Sequence, residues 1–122
     1  MTLANITGEQ LAAISREMVR LKAEYIGKGP TEAKTYHFDN FIFSVLKGGL
    51  TKVEETLISA GDHRLVKEVR LRFQEQMAQS FRRGVEQIVH RRVVGYESQI
   101  VLNPTYVFEI FVLDPGDEHI DA

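Results

Sequence analysis

Residues 105–114 read Thr105-Tyr106-Val107-Phe108-Glu109-Ile110-Phe111-Val112-Leu113-Asp114. Aromatic and β-branched side chains dominate this run, the composition of a strand. In an extended chain successive side chains point to opposite faces. Tyr106, Phe108, Ile110 and Val112 therefore share one side, and Val107, Phe111 and Leu113 the other. The strand is apolar on both faces, and Glu109 is the single charge inside it. Residues 41–46 repeat the pattern: Phe41, Phe43 and Val45 oppose Ile42 and Leu46. Each of these strands has a neighbour in sequence. Residues 31–38 pair with 41–46 around an Asp39-Asn40 turn, and residues 92–102 pair with 105–114 around Asn103-Pro104. Pro115-Gly116 closes the last strand.

Helices precede each hairpin. Thr7 and Gln10 form a capping box, with Ile6 and Leu11 as its hydrophobic staple. Leu11, Ile14, Met18, Leu21 and Tyr25 then recur at helical spacing over about residues 8–26. Gly27 suits a left-handed C-cap, and Pro30 cannot continue the helix. A second box, Thr51 with Glu54, opens a short helix to about residue 60, and Gly61 stops it. Asp62 is placed to cap a third helix, the longest, with the stripe Val66, Val69, Phe73, Met77, Phe81, Val85 and Ile88. Gly84 interrupts it at a cost of about 1 kcal/mol relative to Ala, and its small size suits close packing.

The order αββ(α)αββ predicts an α+β domain: a four-stranded, mainly antiparallel sheet of two hairpins, with two long helices and one short one. The whole of 1–122 reads as one domain, with a core of about 8–115 and a short acidic tail at 116–122. A sheet with one wet face alternates apolar and polar residues, and two of these strands do not. Either the helices divide between the faces or a second copy covers the open one. The expectation is a homodimer.

A chain of 122 residues with 43% hydrophobic and 26% charged residues has enough apolar content for one ordinary core, which excludes a disordered chain. With no cysteine there is no disulfide, thiolate nucleophile or Cys-ligated metal. The net charge of −2 gives no general basic footprint for nucleic acid. Residues 62–92 nevertheless carry eight bases against four acids, a pattern that usually marks a solvated helix face. No segment approaches the roughly 20 apolar residues of a membrane helix. No basic-then-apolar leader opens the chain, so a cytoplasmic location is expected, with any membrane association made through a partner.

Catalytic constellations are not evident. His37, His63, His90 and His119 lack metal-ligand spacing. No serine sits in a nucleophile elbow, and no cofactor fingerprint occurs. Glu109 is a candidate buried acid, which would need a partner; the simpler expectation is that it faces a solvated sheet edge or pairs across strands with an arginine. Gly27, Lys28, Gly29 and Pro30 lack P-loop spacing and read chemically as a helix stop. His90-Arg91-Arg92, with Arg82 and Arg83, is not interleaved with aromatics as a single-strand binder would be.

Tyr25-Ile26-Gly27-Lys28-Gly29-Pro30, followed by a hairpin and then Leu50-Thr51-Lys52-Val53-Glu54-Glu55-Thr56-Leu57, resembles a small bacterial family. It is the MpsC-like domain of Na+-translocating membrane potential-generating systems, formerly a domain of unknown function. The long Arg/Glu-rich helix and Phe111-Val112-Leu113-Asp114-Pro115 continue the likeness over about residues 8–115. One departure lies in the third strand, where a Ser-Asp-type pair is expected and Ser98 is followed by Gln99. The resemblance implies an accessory component of a membrane cation or bicarbonate-linked transport system and carries no catalytic residues. It makes Gly27, Lys28, Gly29, Pro30, Thr51 and Glu54 the positions to follow. The resulting expectation is a non-enzymatic interaction module, dimeric and partnered with a membrane transporter subunit. The alternative is a small anion-binding or catalytic domain built on the Gly27–Pro30 loop.

Overall fold

The computed structural model describes residues 6–116; most of the acidic tail, with His119, lies outside them. The elements are α1 (Gly8–Ile26), β1 (Glu32–Phe38), β2 (Phe41–Lys47), α2 (Lys52–Ser59), α3 (His63–Val89), β3 (Val93–Val101) and β4 (Tyr106–Leu113). They form the α+β architecture that the sequence predicts. The sheet order is β1-β2-β4-β3, antiparallel throughout. The two strands apolar on both sides, β2 and β4, are the inner pair.

Both capping boxes form. Thr7 accepts from the Gln10 N–H at 3.1 Å while the Thr7 N–H donates to the Gln10 side chain at 2.9 Å. Asp62 does not cap α3: its φ of −99° and ψ of 52° lie outside the extended region that aims a side chain at the first-turn N–H groups, and its carboxylate makes no cap bond. His90 ends α3 in the left-handed conformation.

α1 and α3 pack side by side on one face of the sheet, α1 over β1 and β2, α3 over β3. The core between the layers holds Ile14, Met18 and Leu21 of α1, Met77, Phe81 and Val85 of α3, and Ile42, Leu46, Val107, Phe111 and Leu113 of the sheet. Gly84 lies where the helices approach: a Cβ there would meet the Glu17 Cγ at 3.0 Å. The stripe expected on α3 is partly misplaced. Val69 and Phe73 are exposed, while Arg70 is buried among the inner positions. The reason is a second neighbour: α3 packs on α2 as well as on α1 and β3, and Arg70 turns inward to the Glu54 carboxylate of α2.

Candidate functional site

The residues that carry chemistry fall into three regions. The first joins the two sequence motifs at one end of the sheet. Gly27 caps α1 at φ 96°, its N–H donating to the Ala23 carbonyl at 3.0 Å. Gly29 lies against the Val19 carbonyl, where an added Cβ would approach to 3.2 Å. The chain then enters β1 through Thr31, whose N–H and hydroxyl both donate to the Lys47 carbonyl, at 2.8 and 3.1 Å. Gly49, at φ 86°, packs on Pro30: a Cβ there would sit 3.1 Å from the Pro30 Cα. The Gly49 carbonyl accepts from Arg70 Nη2 at 2.9 Å. The same guanidinium donates to both Glu54 oxygens, at 2.5 and 2.7 Å, and Glu54 also accepts from the Thr51 N–H at 2.8 Å. Burial acts to raise the Glu54 carboxyl, but hydrogen bonds from Arg70 and Thr51, with the Arg70 charge, outweigh it and hold the group below its ordinary value. Thr51 and Glu54 thus cap α2 and, through Arg70, bind α3 to the loop that supports Pro30. Lys28 faces a shallow basin shared with Lys47, Glu55, Pro104 and Tyr106. Neither Glu109 nor an arginine lines that basin.

The second region crosses the middle of the inner sheet face. Register places Thr35 opposite Ser44, Ser44 opposite Glu109, and Glu109 opposite Ser98, a polar row over all four strands. Glu109 is 0% exposed on a central strand, which corrects the expectation of a solvated edge. Its partner is a lysine on a helix rather than an arginine on a strand: Lys22 Nζ lies 2.9 Å from Oε2. Ser98 Oγ donates to Oε2 at 2.9 Å, and the Tyr96 hydroxyl donates to Oε1. Burial, followed by the charge of Glu109 and this hydrogen bond, pushes the Tyr96 phenol far above its ordinary value, so it stays a donor. Lys22 Nζ also stands 5.4 Å from the Phe81 ring centre. At the other end of the row, Thr35 Oγ1 lies 2.8 Å from Ser44 Oγ and 2.7 Å from Ser15 Oγ. Lys22, Tyr96 and Arg70 were not singled out from sequence, and Ser98 drew notice only for the Gln99 that follows it. The signal for Lys22 was available, because it follows Met18 by four residues and so falls on the buried face of α1.

The third region is the outer face of the sheet, which no helix of the described residues covers. Across it run the rows Lys34–Val45–Phe108–Gln99, Tyr36–Phe43–Ile110–Glu97 and Phe38–Phe41–Val112–Gly95. Phe43 stacks on Phe108 with ring centres 5.8 Å apart. Phe38 is 79% exposed, Tyr36 49% and Phe41 41%. The apolar centre is flanked by Lys34 on β1 and Glu97 on β3.

Arg91 and Arg92 of the basic run are engaged at the end of β4, Arg91 with the Asp114 carbonyl and Arg92 with its carboxylate at 2.7 Å. Among the described residues no group of three or more His, Asp or Glu side chains is placed to hold a metal ion, and no helix is long and apolar enough to cross a membrane. Neither the comparison with curated proteins nor that with solved structures returns a match. The family model described as "Na+-translocating membrane potential-generating system (MpsC)" matches residues 7–115, nearly the whole chain, and the chain therefore belongs to that family.

Proposed function

We propose that this domain is a non-enzymatic, cytoplasmic accessory module of a bacterial membrane Na+-translocating system, working as a homodimer paired through the open sheet face and reaching the membrane through a transporter subunit. Family membership supports the system. The observation that carries the module reading is the outer sheet face, where Phe38, Tyr36, Phe41, Phe43, Phe108 and Ile110 form one apolar surface. Four strands about 4.8 Å apart and seven residues long at about 3.3 Å each give a face of roughly 19 by 23 Å. Charge supports a second copy as the occupant. A two-fold axis parallel to the strands lays β1 of one copy over β3 of the other. Lys34 of each then stands one side-chain step from Glu97 of its mate, with the aromatics between them. A two-fold contact uses the same patch twice, so this self-complementarity is what it requires.

The test has two parts. Light scattering at micromolar concentration should give a dimer, and F43E/F108E should give a folded monomer; a wild-type monomer would exclude the pairing. Affinity purification from native membranes should recover transporter subunits with the wild-type chain. Repeated recovery of none would refute the accessory role.

A further inference from the structure

At the free β3 edge, between α3 and the sheet, lies a pocket of 220 Å³. Three cations reach it, Lys22, Lys67 and Arg70, and no carboxylate lines it. Two of the three are held in place from behind. Glu54 accepts from Arg70 Nε and Nη2, and the Gly49 carbonyl also accepts from Nη2. Nη1 makes no hydrogen bond among the described residues. No fully buried side-chain nitrogen or oxygen there lacks a partner, so Nη1 keeps some exposure although Arg70 as a whole is 8% exposed. Arg70 lines the pocket. Lys22, 4% exposed, has three N–H donors and a single polar partner among the described residues, Glu109. Ser98 spends its hydroxyl proton on Glu109. Unused N–H donors on two desolvated cations therefore face a space without acids, and charge-assisted hydrogen bonds to an anion are the strong interactions available there. The rest of the wall is mixed: the side chains of Leu71, Ile100 and Val107 stand beside the amides of Gln74 and Gln99. A bare inorganic anion would leave the three apolar side chains without contact.

We propose that this pocket binds a small organic carboxylate. Lys22 Nζ and Arg70 Nη1 hold its oxygens, Lys67 closes the mouth, and a short hydrocarbon portion lies against Leu71, Ile100 and Val107. The site is separate from both the open sheet face and the Gly27–Pro30 loop, so it stands whether or not the chain dimerises.

Amide NMR titrations of the full chain with potassium butyrate, potassium acetate and potassium chloride at equal ionic strength test this. Butyrate should shift the amides of Lys67, Leu71, Ser98 and Ile100 saturably. It should bind roughly tenfold tighter than acetate, because two more methylenes leave water. Chloride should give no saturable change. Lys22 and Arg70 support the fold, so the informative variants are at the exposed rim. K67E and L71E should each weaken butyrate about tenfold or more while the spectrum stays folded, and F38E on the opposite face should leave binding unchanged. Equal affinity for acetate and butyrate, no saturable response to butyrate, or wild-type titration by both rim variants would overturn the assignment.

Discussion

Glu54 and Glu109 are both buried carboxylates held by a cation from another element, and they arise in different ways. Glu54 sits in the first turn of α2, where its own helix needs it: it accepts the Thr51 N–H at 2.8 Å and closes a capping box before Arg70 is added. Glu109 has no local reason to exist. It interrupts an apolar central strand, and every group that satisfies it comes from elsewhere in the chain: Lys22 from α1, and Tyr96 and Ser98 from β3. The first pair fastens a peripheral helix and a glycine loop. The second lies at the centre of the sheet among fully buried side chains. A charge at the edge of the layers can be tied by motif, whereas one in the middle needs several elements already in register.

The contrast breaks most severely at Glu109. E109A should cost about 3–5 kcal/mol in urea unfolding, because it strands the Lys22 ammonium in the core. The paired change K22M/E109L should recover most of that loss, since apolar replacement of a whole buried pair is often neutral or better. E54Q comes next, at about 1.5–3 kcal/mol for charged hydrogen bonds weakened rather than abolished. Its pH dependence sharpens the comparison. The Glu54 carboxyl is depressed in the folded protein, so its contribution is present above the unfolded carboxyl value of about 4.3 and is lost as pH falls through the folded value. Acid unfolding monitored by circular dichroism should therefore lose part of its steepness in E54Q.

Y96F should cost about 1–2 kcal/mol, because Lys22 and Ser98 still reach the carboxylate. The phenol is raised in the fold, so stability should be intact below its unfolded value of about 10 and fall as pH rises beyond it. Ultraviolet titration should show one of the four tyrosines withheld until alkaline unfolding, and Y96F should abolish that lag. T51A is the smallest change, about 1 kcal/mol for a lost N-cap, and should leave the Glu109 network untouched in amide-exchange measurements.

Legibility in the sequence followed the range of each interaction. The caps at Thr7 and Thr51, the Gly27 stop and the turn at Asp39-Asn40 depend on residues within a few positions of one another, and they form where the local pattern puts them. Asp62 failed as a cap because side-chain identity does not set the backbone angles that aim it. The α3 stripe failed at Val69 and Phe73, though not at Val66, because periodicity marks a helical face without saying which neighbours that face will meet. Arg70 and Lys22 escaped notice because a charge on a helix is usually solvated, and only the packed structure puts a carboxylate opposite each.

The sequence by itself determined the elements, their order and the presence of two strands too apolar to lie at a wet edge, since these follow from spacing, capping and the two-residue period of an extended chain. The tertiary structure alone decided that β4 pairs with β2, that both long helices lie on the same side of the sheet, and that Glu109 meets Lys22 across 86 intervening positions. Those outcomes depend on which distant surfaces fit together, and packing complementarity between remote segments leaves no local trace.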